Sequence, residues 1–272
     1  MSARGRRRFL AELGVVGVGI GLTACGAPEN GRPRLVDGPT TTTSLPEFGQ
    51  VLRGPAEAEA IDASAIAVSD ADPTVDRSIV ARATVEQINV FAEPDGQITH
   101  TMDNPTPTNG PLVFLTTVNT QEWHEVLLPV RPNGSSGWVR NADVSLAAHN
   151  YRIRVDLSDF RCRVFERGVV IFDAVAGVAA NNSPTPGGRY YITELLAPTE
   201  PDTVYGSFAY GLSGFSETFE TFNGGPGQLG IHGTNSPETL GSAVSSGCVR
   251  LHNDDVARLV SFLPLGVPVD VT

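Results

Sequence analysis

The chain has 272 residues, 40% of them hydrophobic and 18% charged, so it is long enough to bury one or two cores without disulfide staples and too apolar to be disordered throughout. Its formal net charge of −11 argues against a phosphate-backbone partner, and no nucleic acid is expected. With 29 glycines and 20 prolines set between short aliphatic runs, strands and turns are favoured over a helical bundle.

Residues 1–24 carry Arg4, Arg6, Arg7 and Arg8 ahead of a weakly apolar, Gly-rich stretch, which reads as an export signal. Arg6-Arg7-Arg8-Phe9-Leu10 resembles the twin-arginine export motif. From Leu10 to Ala24 the stretch is shorter than the ~20 residues that span a bilayer, which disfavours a permanent transmembrane helix. Leu22-Thr23-Ala24-Cys25 resembles the bacterial lipobox. That resemblance implies lipidation of Cys25 and an exported protein anchored to the membrane at the cell wall. Ordinary cleavage near Ala24, with Cys25 incidental, is the alternative. Residues 25–79 are rich in Pro, Thr and Gly, then in Ala and acidic residues, with no sustained apolar period. They are expected to be a disordered linker, and a short helix near 56–66 is the weaker reading.

Residues 80–147 read as short strands separated by NPTPTNG and RPNGSSG turns. WHEVLLPVRPNGSSGWVRNADV resembles the strand, distal turn and final strand of a bacterial SH3-like barrel. Trp123, His124 and Trp138 either line a ligand groove or fill the small barrel core, and the second is the commoner fate of such aromatics.

A second unit is expected over 150–272. YRIRVDLSDFRCRVFERGVVIFDAVAGVA alternates apolar and polar residues over two or three strands, with a turn at Glu166-Arg167-Gly168. Cys162 alternates there with arginines, as an inert inward-facing thiol does, so no disulfide to Cys248 is expected. Residues 197–230 are long, Gly-rich and aromatic, with Tyr205, Phe208, Tyr210, Phe215, Phe219 and Phe222; they form a lid or contribute to the core. HNDDVARLVSFL is the one clear helix, with Asn253 expected as N-cap and Asp254 and Asp255 in its first turn.

SSGCVRL at 245–251 raises the chemistry. A free thiol is mostly protonated at neutral pH, and an adjacent imidazole that takes its proton forms a mutually stabilising ion pair with it. His232, in IHGTN, lies sixteen positions before Cys248. Gly247 permits a sharp turn that aims main-chain N–H groups at an incoming carbonyl. A zinc site built on His232, Cys248 and His252 lacks the paired spacing such sites use, so no metal or cofactor is expected.

IHGTN followed by SSGCVRLHNDDV closely resembles the YkuD-type L,D-transpeptidase signature. PTPGGRYYI resembles that family's earlier Thr-Pro-x-Gly-x-aromatic strand, and FAYGLSGFSETFETFNGG its lid-to-core segment. One departure is Ser246, where the family more often has His. The resemblance implies a mainly β fold: a catalytic β-sandwich with one or two short helices, preceded by the small SH3-like β-barrel. It implies Cys248 as nucleophile, His232 as general base, Gly247 and Cys248 amides as oxyanion donors, and either Ser245 or a carbonyl near Gly233 orienting the imidazole. Arg250 binds a substrate carboxylate or sits in a buried ion pair; Gly233, Ser246 and Tyr210 complete the expected substrate side. His252 is expected to start the helix. The implied substrate is the peptidoglycan tetrapeptide stem, with release of D-Ala and transfer to an amine of a second stem, and carbapenem-type inhibitors as covalent ligands. Water as acceptor would make it an L,D-carboxypeptidase. A non-catalytic peptidoglycan-binding lipoprotein is the reading from another class.

Overall fold

The computed structural model describes residues 48–51, 57–61, 77–180, 182–200, 202–222 and 224–272. The export signal, Cys25 and most of the expected linker lie outside the described residues, which all belong to one compact unit spanning 43–272. In chain order the first half contains β1 (Phe48–Val51), β2 (Glu59–Ile61), β3 (Ser78–Ala83), β4 (Gln87–Phe91), β5 (Ile98–Asp103), β6 (Val113–Asn119), β7 (Trp123–Leu127), β8 (Ser136–Arg140) and β9 (Val144–His149). The second half contains β10 (Tyr151–Asp156), β11 (Arg161–Glu166), β12 (Val169–Val175), β13 (Val178–Ala179), β14 (Gly188–Pro198), β15 (Ala209–Phe215), β16 (Gln228–His232), β17 (Ala243–Ser245), β18 (Val249–Arg250), α1 (Asn253–Val260) and β19 (Pro268–Val271). The protein is mainly β, and α1 is the only α-helix among the described residues.

Strands β2 to β9 form one eight-stranded sheet in the order β2-β9-β3-β6-β7-β8-β4-β5. Period-two alternation turns Ile88, Val90, Val126 and Val139 inward around Phe114, all fully buried. Trp123 packs edge-on against Phe91 within this assembly, and both ring nitrogens of buried His124 are engaged, by Asn119 and Asn141 at 3.0 Å each. These two residues therefore serve packing within this assembly.

The linker expectation is corrected in two places. β2 pairs antiparallel with β9, Glu59 opposite Ala148 and Ile61 opposite Leu146, and β1 pairs with β14. The same pairing overturns a helix at 59–61. The outer side of β9, and the end of β14 at 196–198 beyond its pairing with β19, offer N–H and C=O groups to an extended backbone, so pairing needs no apolar period in the segment that supplies it.

The second assembly is a nine-stranded sheet in the order β12-β11-β10-β19-β14-β15-β16-β18, with β1 added beside β14. Ile153, Val155, Cys162 and Val164 alternate into its core, joined by Ile192, Leu195, Leu212 and Ile231. Cys162 is wholly buried and unbonded, and burial pushes its thiol up to about 12. Helix α1 closes one side of the core through Val256 and Leu259. Its N-cap is His252, whose ring accepts the Asp254 N–H at 3.3 Å, so the expected Asn253 cap is displaced by one residue. Asn253 is released for another task, described below.

The two assemblies share a small apolar seam of Val80, Val113 and Leu115 against Tyr191, whose hydroxyl donates to the Leu127 carbonyl at 3.2 Å. Gly266 takes a φ of +85° at this seam, and a Cβ there would stand 2.3 Å from a Val80 methyl, so glycine is required on both counts.

Candidate active site

β16 delivers His232, and β18 adds parallel to β16 with Ile231 opposite Val249 and His232 opposite Arg250. Alternate residues of a strand share a face, so Gly230 and His232 point the same way, and Cys248, one residue before Val249, falls beside Gly230. A Cβ on Gly230 would stand 3.9 Å from the Cys248 sulfur and 2.9 Å from the Tyr210 carbonyl. The sulfur would tolerate that Cβ, but the Tyr210 carbonyl of the neighbouring strand would not, so glycine here is set by the approach of β15. His232, Gly247 and Cys248 open together onto a cleft of about 160 Å³, which Tyr205, Phe219 and Phe222 also line.

The cysteine loop is pinned from both sides. Gly247 has a φ of +137°, a conformation that a side chain would strain. Ser245 Oγ donates to the Cys248 carbonyl at 2.5 Å and accepts the Gly247 N–H at 3.3 Å. Buried Thr185 donates through Oγ1 to the Gly247 carbonyl at 2.8 Å. Ser245 thus holds the loop, and the Gly247 N–H expected to face an oxyanion is turned onto it.

His232 Nδ1 lies 2.6 Å from the Gly233 carbonyl. A carbonyl only accepts, so Nδ1 carries a proton, and in the neutral ring Nε2 then keeps its lone pair. Burial lowers the imidazole pKa to about 4, Arg250 pushes the same way, and the Gly233 bond opposes them. The Tyr205 ring meets the imidazole edge-on at 5.0 Å. Cys248 is shifted oppositely: burial raises its thiol, while a Gly230 backbone bond and the Arg250 charge partly offset that. The thiol's hydrogen-bond contact is the Gln228 carbonyl at 4.0 Å. Both shifts favour the uncharged forms, a protonated thiol and a neutral imidazole, over the ion pair expected from the sequence.

A YkuD family model, described as the L,D-transpeptidase catalytic domain, matches residues 150–271. The putative L,D-transpeptidase YqjB of Bacillus subtilis is 36% identical over 126 residues, covering 40% of this chain and 67% of that relative. The chain belongs to the YkuD-type L,D-transpeptidase family. The putative L,D-transpeptidase YkuD of Bacillus licheniformis is 34% identical over 122 residues, 45% of this chain. The chain spans 66% of that relative's length and 44% of its Bacillus subtilis counterpart's. A solved L,D-transpeptidase from Mycobacterium tuberculosis H37Rv has a TM-score of 0.37 at 18% identity, over 53% of this chain and 74% of that one.

Within the L,D-transpeptidase domain the fold gathers most of the residues singled out by the signature. Ser245, Ser246 and Arg250 line the same cleft as Cys248 and His232, and Gly233 acts through its carbonyl. Of the two candidates for orienting the imidazole, that carbonyl takes the role. Arg250 forms no ion pair among the described residues, and its Nε is buried without a hydrogen-bond partner. Tyr210 is the exception. Its ring is buried in the core and does not border the cleft, because it lies opposite Ile231 and not opposite His232. One position along β16 separates the core-facing side of the sheet from the chemical one.

Two residues were passed over. Thr185 lies in the PTPGG motif, so a signal was present but no role was drawn from it. Asn253 Oδ1 accepts the Thr234 N–H at 3.0 Å and the Ser207 N–H at 3.4 Å, tying the turn after His232 to the segment carrying Tyr205.

Proposed function

We propose that the protein is a cysteine-dependent L,D-transpeptidase of peptidoglycan. Cys248 attacks the carbonyl of the third residue of a tetrapeptide stem as its thiol proton passes to Nε2 of His232. The tetrahedral adduct collapses, the C–N bond to the terminal D-Ala breaks, and the imidazolium returns the proton to the departing amine. His232 then takes a proton from an amine of a second stem, which attacks the thioester carbonyl. The cysteine sulfur leaves and recovers its proton from the imidazolium.

The observation that carries this reading is one cleft holding a half-buried thiol beside a neutral imidazole whose Nδ1 is tied to Gly233. Proton transfer accompanies attack instead of preceding it. A protonated resting thiol is also slow to oxidise, which suits a protein exported by its own signal. The Cys248 N–H is the remaining main-chain donor for the oxyanion, and Arg250 supplies the positive charge that meets a stem carboxylate. On the same reading residues 1–24 direct export and Cys25 anchors the protein to the membrane, with the SH3-like unit beside the catalytic one.

The test incubates the protein with a disaccharide-tetrapeptide and follows D-Ala and cross-linked dimer by mass spectrometry. Dimer from wild type and none from Cys248→Ala or His232→Ala is expected, as is a single carbapenem adduct on Cys248. Neither D-Ala nor dimer from wild type, or equal yields from Cys248→Ala, would sink the proposal.

A further inference from the structure

The loop joining β15 to β16, from Ser216 to Gly227 and described at all positions but 223, carries Phe219 and Phe222 onto the cleft. Its neck is closed by the Ser216 N–H donating to the Gly227 carbonyl at 2.8 Å. Three of its carbonyls then converge on one side chain from the other β assembly. Arg131 donates through Nη2 to Ser216 at 3.0 Å and to Phe219 at 2.9 Å, and through Nη1 to Pro226 at 2.9 Å. The same guanidinium lies 4.6 Å from the centroid of the Phe215 ring. Two residues on, Asn133 exchanges a pair of 2.8 Å hydrogen bonds with the main chain of Phe215, at the root of the loop. Gly227 fits this junction because it has no side chain: its φ is +68°, and a Cβ would stand 2.5 Å from the Phe219 carbonyl and 3.2 Å from Arg131 Nη2.

We infer that the turn at 131–133 is a positioning element for the active-site cleft: Arg131, with Asn133, holds the 216–227 loop so that Phe219 and Phe222 form the wall against which a donor peptide lies. The first β assembly is then part of the catalytic unit and not a separately tethered module. The argument is geometric. The loop has local ties of its own: the Phe219–Phe222 ring contact, the paired Phe222 and Gly225 main chains, and the Ser216 hydroxyl accepting the Thr218 and Phe219 N–H groups. These fix its internal shape only, whereas three carbonyls on one planar guanidinium fix it to the other β assembly. Carbonyls of Ser216, Phe219 and Pro226 are drawn to a common point, which fixes where the chain between them turns and which way Phe219 faces. The interaction supplies no proton and touches no reacting atom, so it should act on binding and leave the sulfur's own chemistry alone. The inference rests on reading the cleft as the acyl-transfer site.

The experiment compares full-length wild type, Arg131→Ala and Asn133→Ala by hydrogen–deuterium exchange, by D-Ala release from disaccharide-tetrapeptide, and by alkylation of Cys248 with iodoacetamide, which is too small to need the wall. Arg131→Ala is expected to speed exchange in the 216–227 loop by about tenfold with β16 unchanged, given the strength of charge-assisted hydrogen bonds. KM should rise by a similar factor, while kcat and the alkylation rate change by less than about twofold. Unchanged exchange in the loop, or a variant whose only defect is a lower Tm with KM intact, would overturn the inference. Should Arg131→Ala fail to fold, Asn133→Ala carries the same expectation at about threefold, and wild-type exchange there overturns it. A wild type that releases no D-Ala refutes the transpeptidase reading, and the exchange comparison still decides the role of Arg131.

Discussion

Acid should destabilise this protein through its buried histidines, and for two of them the amount follows from the structure. His232 and His149 are both buried, and burial lowers each from the ordinary 6.5 to about 4. Between those values the unfolded chain binds protons that the folded chain refuses. Stability therefore rises with pH across this window, is complete above about 6.5, and is lost as pH falls towards 4. At about 1.36 kcal/mol per decade each histidine is worth roughly 3 kcal/mol, and near pH 5 the pair imposes a slope of roughly 2 kcal/mol per pH unit. Urea denaturation between about pH 7.5 and 4.5, on wild type, His149→Gln and His232→Gln, measures that slope, and each substitution should remove about half of it. His124, lowered by burial, and Asp156 and Asp173, lowered by their hydrogen-bond partners, add in the same direction, but they persist in every variant and cancel in the difference. The kinetic companion is the acid limb of kcat/KM, which should fall near pH 4 because Nε2 must be unprotonated to accept the thiol proton. A His232→Gln slope equal to wild type would mean that the imidazole is not held neutral, and the proton path from Cys248 would lose its acceptor.

Thr185→Val removes the donor that buried Thr185 places on the Gly247 carbonyl. A loss of about 1–3 kcal/mol is expected, with slower D-Ala release, checked by thermal unfolding and by initial rates; unchanged rates would detach Thr185 from the cysteine loop. Cys162→Ala should leave D-Ala release at the wild-type level and lower stability by about 1–2 kcal/mol, since its thiol is a packed core group. Lost turnover in a folded Cys162→Ala would give that thiol a role no contact here assigns it.

The local features were legible because they depend on near neighbours. Alternation in YRIRVDL and FRCRVF places Ile153, Val155, Cys162 and Val164 inward as expected, and the strand runs of the first half fold as strands. The helix begins where His252 and the acidic first turn announce it, one residue from the expected cap. His232 and Cys248 were legible as a pair because the signature fixes residue types and spacing, which β16 and β18 convert into proximity.

What the sequence left undecided is long-range. Tyr210 read as a cleft residue because a sheet covered on both faces gives an aromatic no local cue as to which face it takes. β1 and β2 went unseen because main-chain pairing does not depend on their composition. Arg131 stands 85 positions from Ser216, and nothing near either residue announces the bond between them. The protonation of the site belongs here too. A histidine and a cysteine sixteen apart permit either an ion pair or two neutral groups, and the choice falls to burial, which penalises charge. Residue identity thus determined which groups are present and which local elements carry them. The packing of the sheets decided which way those groups face and which of them keep their protons, because both depend on what the rest of the chain places around them.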